Sequence, residues 1–256
     1  MKRVWLVGVL IAFAAVAKFG YDYFYFDTDL LAKPVATASA TPSASPVPSE
    51  SPTIPPVPPT KLEVQQALAD MAIPVGAIDG KWGARTRQAL CIWRELTRRD
   101  INRNFPTTEE QYAIVAQEDL TLPSDFVLGL NVNKGCQSVI WVKDASLKSY
   151  EISIVSTGAA ATPTGNGTFK VNWRVNRWYE SISIPDGWMY KPMFFNKGQA
   201  IHGSEKDAYV WWYPASHGCV RMLHAFVDEL WASDFGIGST VRVYGEFNPY
   251  TTDPVI

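Results

Sequence analysis

Ser138-Val139-Ile140-Trp141-Val142, followed by Tyr150-Glu151-Ile152-Ser153-Ile154 and later by Phe169, Val171, Trp173 and Val175, decides the fold class of this chain. β-Branched and aromatic residues run together or recur at every second position, which is the period of a strand with one buried face. Gly158, Pro163, Gly165, Gly167, Pro185, Asp186 and Gly187 punctuate these strands at short intervals. That spacing points to a sandwich or barrel rather than to parallel βαβ units. Leu223, Phe226, Val227, Leu230 and Trp231 stand at helical spacing directly after the run Ser216–Arg221, and a last strand is expected near Thr240–Tyr244.

Upstream, between Lys61 and about Thr121, the period changes. Val64, Ala67, Leu68 and Met71 recur at three and four, so they share one helix face. A second helix is predicted over Arg85–Leu96, with Ala89, Leu90, Trp93 and Leu96 inward. Pro74, Gly76, Asp79, Gly80 and Gly83 turn the chain between the two. The order Val64-Gln65, Ala67-Leu68, Gly76, Ile78-Asp79-Gly80, Trp82-Gly83, Thr86, Ala89-Leu90 resembles the peptidoglycan-binding domain, which implies a small three-helix fold for about residues 61–121.

Residues 27–60 are rich in Pro, Ser, Thr and Ala and hold few large apolar side chains, so they are expected to form a disordered, extended linker. At the start, Lys2 and Arg3 precede the apolar run Val4–Ala17, the pattern of an export signal. The run is short for a spanning helix. Ala15-Val16-Ala17 reads as a cleavage site, whereas the aromatic cluster Tyr21–Phe26 would extend residues 1–26 into a single membrane anchor. Both readings place the remainder outside the cytoplasm, in the cell envelope.

The composition excludes other classes. With 47% apolar and 13% aromatic residues, the 256-residue chain has ample material for a core. Its net charge is −2 and its 23 Lys and Arg are scattered, so no nucleic-acid partner is expected. An exported chain with three cysteines has one odd thiol. If Cys219 is the odd one, Cys91 and Cys136 either pair as a disulfide or remain small buried thiols.

The chemistry concentrates in Ser216-His217-Gly218-Cys219-Val220-Arg221. Gly218 lets the backbone approach a substrate closely. A helix expected just after Cys219, together with Arg221, would lower the thiol pKa and favour the thiolate that nucleophilic catalysis needs. The amides of this turn, Gly218 included, would hold an oxyanion. His202, in Ala200-Ile201-His202-Gly203-Ser204 at the end of an expected strand, is the first choice of base. His217 would assist it, and His224 reads as a surface or interhelical histidine. A zinc site of Cys219, His202 and His217 is the metal alternative, and it leaves Gly218 unexplained. No metal or cofactor is expected.

His202-Gly203 followed by Ser216–Arg221, with Ser156-Thr157-Gly158 and Thr162-Pro163-Thr164-Gly165 upstream, resembles the L,D-transpeptidase catalytic domain over about residues 137–246. The resemblance implies an α+β multidomain chain, with the helical domain followed by a mainly β, sandwich-like catalytic domain. It implies Cys219 as nucleophile and His202 as base, with Ser204 or nearby backbone orienting the imidazole. His217, Gly218 and Cys219 would hold the oxyanion, supported by Ser216 and Gly203, and Arg221 would meet a substrate carboxylate. The partners implied are peptidoglycan stem peptides and glycan, acted on by a monomer. The short segment 203–215 departs from the expected spacing. Its aromatic run, Tyr209, Trp211, Trp212 and Tyr213, reads either as a substrate wall or as core, with core preferred.

Overall fold

Thr60 and Thr107 show how the helices start. A computed structural model describes residues 57–182 and 184–248; the terminal segment 1–26 and most of the expected linker lie outside the described residues. Three helices come first, α1 (Lys61–Asp70), α2 (Ala84–Leu96) and α3 (Thr108–Val115). Thr60 Oγ1 accepts the Glu63 N–H at 3.2 Å while the Glu63 carboxylate accepts the Thr60 N–H at 2.7 Å. Thr107 and Glu110 repeat this reciprocal cap on α3, and each such cap contributes about 1 kcal/mol. Gln65, buried on α1, fixes the following turn: its amide oxygen accepts the N–H groups of Asp79 and Gly80, and its Nε2 donates to Lys81 O. α2 is buried on nearly every side because it lies between its helical neighbours and the β part. Among the described residues no helix is long and apolar enough to cross a membrane.

Ten strands follow: β1 (Gly129–Asn133), β2 (Ser138–Val142), β3 (Tyr150–Ser156), β4 (Gly167–Lys170), β5 (Trp173–Arg174), β6 (Trp178–Glu180), β7 (Trp188–Asn196), β8 (Gln199–Gly203), β9 (Val220–Met222) and β10 (Thr240–Tyr244). A fourth helix, α4 (His224–Ala232), lies between the last two. The strands form one hydrogen-bonded sheet in the order β4-β10-β1-β2-β3-β9-β8-β7-β5, with β6 beside β7. The expectation of a mainly β domain is met, as one hydrogen-bonded path of strands in which short β9 joins β3 to β8. Most neighbours are antiparallel, but β1/β10 and β8/β9 are parallel.

Alternation along the strands separates two cores. Leu130, Val132, Val139, Trp141, Val155, Ile201, Val220, Met222, Val241 and Val243 face one way and enclose Phe226, Val227 and Leu230 of α4. Ile140 and Val142 face the other way and pack with α1, α2 and α3. β1 and β2 are therefore buried along their whole length. The helices and the sheet belong to one unit, and a disulfide joins Cys91 on α2 to Cys136 in the β1–β2 turn. Beside it, Glu95 is 3% exposed. Its Oε1 accepts from Tyr244 Oη at 2.7 Å and Asn133 Nδ2 at 2.9 Å, and burial raises its carboxyl pKa.

Candidate active site

Two parallel strands and the turn that precedes one of them assemble the site. β8 and β9 pair in the register Ile201↔Val220, His202↔Arg221 and Gly203↔Met222. Ile201, Val220 and Met222 go to the core, so the two-residue period sends His202, Arg221 and, just before β9, Cys219 to the opposite face. There they line a cleft of about 650 Å³ with Ser204, Ser216 and His217. The facing wall carries Trp173, Tyr179, Trp188 and Met189 from β5, β6 and β7.

His202 is 6% exposed. Its Nδ1 lies 2.8 Å from Gly203 O. A carbonyl only accepts, so Nδ1 carries the proton and Nε2 keeps a free lone pair. Burial pushes the imidazole pKa down to about 4; the Gly203 carbonyl works against this shift and the charge of Arg221 adds to it. His202 is therefore a neutral base at neutral pH. Because its folded pKa lies below the ordinary 6.5, the unfolded chain binds this proton first. Its contribution to stability is full above about pH 6.5 and is lost as pH falls towards about 4, an effect on the order of 3 kcal/mol. Urea unfolding of wild type and His202→Gln between pH 7 and 4 is expected to show this extra acid slope only in the wild type.

Cys219 corrects the sequence expectation. Burial raises its thiol pKa, against the smaller opposing effects of the Ala200 N–H, 3.4 Å from Sγ, and of Arg221. Burial is the larger effect, and the helix expected to offset it begins further along the chain. Val220–Met222 form strand β9 and α4 starts only at His224, so no helix N-terminus faces the thiol. Burial thus favours the neutral thiol at Cys219 and the neutral imidazole at His202.

The turn before Cys219 is held tightly. Gly218 adopts φ +113°, a conformation strained for any residue with a side chain. Ser216 Oγ donates to Cys219 O at 2.5 Å and accepts the Gly218 N–H at 3.1 Å. The Gly218 amide is thus engaged within the loop, contrary to its expected role as an open oxyanion donor. Thr164 Oγ1 donates to Gly218 O at 2.9 Å and accepts the Gly158 N–H at 2.8 Å. A Cβ on Gly158 would stand 2.1 Å from Thr162 O and 2.8 Å from Gly218 Cα, so backbone lies directly on backbone. His217 is exposed at the cleft and Arg221 is half-buried beside it.

Other expectations also change. Of the two partners expected for the imidazole, nearby backbone and Ser204, the Gly203 carbonyl is the one in place, while Ser204 Oγ is buried and makes no hydrogen bond among the described residues. The aromatic run is not core. Tyr209 is 39% exposed and lines the cleft, Trp211 is 40% exposed, and only Val210 is fully buried there. The helical part anchors this segment. Arg85 donates to Val210 O, and Arg103 donates to Trp212 O at 2.7 Å with its guanidinium over the Trp212 ring. Both arginines were missed in the sequence, where nothing in their spacing links them to residues so far along the chain. Among the described residues no group of three or more His, Cys, Asp or Glu side chains converges.

A cysteine and a neutral histidine on adjacent strands, opening on one cleft, are the equipment of a thiol acyl-transfer enzyme. Residues 130–243 match the model of the YkuD family, the L,D-transpeptidase catalytic domain. Among solved structures, the L,D-transpeptidase from Xylanimonas cellulosilytica DSM 15894 is 26% identical with a TM-score of 0.51, and the match covers 75% of this chain and 100% of that one. The L,D-transpeptidase (Yku) from Stackebrandtia nassauensis is 21% identical with a TM-score of 0.44, covering 73% of this chain and 91% of that one. No curated protein matches. The family match and the Xylanimonas structure support an L,D-transpeptidase catalytic domain in the β part of this chain.

Proposed function

We propose that the protein is a cell-envelope L,D-transpeptidase that cross-links peptidoglycan through a Cys219 acyl-enzyme. The observation that carries this reading is the 2.8 Å contact of His202 Nδ1 with Gly203 O: it leaves Nε2 as a base, on the strand parallel to β9, which Cys219 directly precedes. Cys219 Sγ attacks the carbonyl of the L-centre of a diamino acid in the donor stem, and its proton passes to His202 Nε2. The Cys219 amide and the exposed His217 ring stabilise the oxyanion. The C–N bond breaks, His202 returns the proton to the departing D-amino acid, and a thioester remains. The side-chain amine of a second stem then attacks the thioester and gives up a proton through His202. The new amide bond forms and the thiol is restored, without ATP. Arg221, half-buried at the cleft, meets a stem carboxylate.

The helices serve as a peptidoglycan-binding module that raises the local concentration of the polymer. The Cys91–Cys136 disulfide suits an oxidising, extracytoplasmic compartment. Incubation of the protein with a tetrapeptide-bearing muropeptide, followed by mass spectrometry, tests the reading. A cross-linked dimer is expected. A trimmed monomer alone would make the enzyme an L,D-carboxypeptidase, and the absence of any acyl-enzyme or product would reduce it to a wall-binding protein.

A further inference from the structure

β8 ends at Gly203, so the Gly203–Ser204 peptide lies where the sheet ladder stops holding the backbone. Pairing on its other side is irregular as well: Tyr190 opposes Gly203, and the register slips between Tyr190 and Met193. Yet the Gly203 carbonyl is the group that fixes the His202 tautomer. His224 sits against this peptide. Its Nε2 makes a short hydrogen bond with Ser204 O, and because a carbonyl only accepts, Nε2 carries the proton. A Cβ at Gly203 would lie 2.4 Å from His224 Cδ2 and 3.0 Å from Nε2, so the ring rests directly on Gly203.

The histidine is itself fixed from several sides. Its backbone N–H donates to Asp207 Oδ1 at 2.8 Å. Its ring packs 4.6 Å from the Tyr190 ring and 5.8 Å from the Trp178 ring, centroid to centroid. Tyr190 is tied down in turn by Asp228, which accepts from Tyr190 Oη at 2.8 Å and from Lys191 Nζ at 2.6 Å.

We propose that His224 is a positioning residue: by donating to Ser204 O and covering Gly203 it holds the backbone of Gly203 and Ser204 so that Gly203 O captures His202 Nδ1–H and leaves Nε2 as the base. The proposal rests on the reading of His202 as the general base. His224 is not among the residues that line the cleft. It acts through the Ser204–Glu205 peptide, one along the chain from the Gly203 carbonyl, and a misplacement of about 1 Å in such a support costs about 10²-fold in rate.

Three variants test it in the full chain: His224→Phe keeps a ring without a donor, His224→Gln restores an N–H near the Nε2 position, and His224→Ala removes both. Nitrogen-15 shifts of the histidines report the His202 tautomer, and the rate of acyl-enzyme formation on a muropeptide donor reports its use. His224→Phe is expected to convert His202 to a mixture of tautomers and to lower kcat about 10²-fold at little-changed KM, with His224→Gln recovering most of both. If His224→Phe does not fold, His224→Ala carries the same comparison with His224→Gln. A donor-less variant that retains the Nδ1–H tautomer and the wild-type rate overturns the proposal, as does a His224→Gln that recovers neither the tautomer nor the rate lost in His224→Phe. The tautomer is read without turnover, so a wild type that forms no acyl-enzyme sinks the proposed function and leaves the spectroscopic comparison decisive.

Discussion

Cys219→Ala is expected to abolish acyl-enzyme formation, with turnover falling by at least about 10³-fold, while binding to isolated sacculi is unchanged. The wild-type protein incubated with a muropeptide donor, or with a carbapenem as a strained acyl donor, should gain the mass of one acyl group; the variant should gain none. His202→Ala should lose roughly 10² to 10⁴-fold, the range of general-base catalysis. The raised thiol pKa adds a sharper expectation. Iodoacetamide, which reacts with preformed thiolate, should alkylate Cys219 at pH 7 no faster than an ordinary cysteine. In the proposed mechanism the proton leaves as the carbonyl is attacked, so acylation needs no preformed thiolate. Rapid alkylation at pH 7 would show a preformed ion pair and contradict the neutral thiol and imidazole described above. Loss of sacculus binding in Cys219→Ala would contradict the division between helical module and catalytic cleft.

Removal of the Cys91–Cys136 bond should produce the largest change in stability. The two residues are 45 apart in sequence, and a closed loop of that size contributes about 4 kcal/mol through the entropy of the unfolded chain. In a domain of this size that corresponds to a fall in Tm of about 8 to 16 °C. Both sulfurs are buried, at 1% and 0% exposure, so Cys91→Ala/Cys136→Ala also loses packing where α2 meets the β1–β2 turn. Thermal unfolding followed by circular dichroism, with and without reductant, checks the effect. A midpoint that shifts by less than a few degrees would mean that the shared core alone carries the junction.

Much of this architecture was legible in residue periods. The alternation at Tyr150–Ser156 and the apolar run at Ser138–Val142 read directly as strands, and Arg85–Leu96 read as a helix that the structure extends by one residue to Ala84. β1 was missed: Gly129–Asn133 alternates Leu130 and Val132 with two asparagines, a signal too short to separate from a loop. The residues after Cys219 misled in a specific way. Leu223 to Trp231 carry a helical period, but Val220-Arg221-Met222 alternates and is drawn into the sheet between β3 and β8, a tertiary pairing that local sequence does not reveal. The thiol pKa rises through burial, a tertiary property that the motif does not carry either. Cys219 and His202 line one cleft as the motif implied, and of the two partners expected for the imidazole the backbone is in place, though which carbonyl serves leaves no side-chain signature. For the same reason Ser216 and Gly218, legible as a motif, proved to be bonded to each other rather than open to substrate.

The contact of Gly158 with Gly218 bears on how such an enzyme can be diversified. With 2.8 Å between the site of any Cβ on Gly158 and Gly218 Cα, and positive φ at Gly218, neither position admits a side chain without moving the thiol. A mutant library spread over this turn would consist almost wholly of dead clones. The wall at Trp173, Ile182 and Trp188 is exposed by 46%, 94% and 43% and faces the same cleft. Directed evolution of substrate preference has its tolerant ground there, on the side of the cleft that leaves the thiol in place.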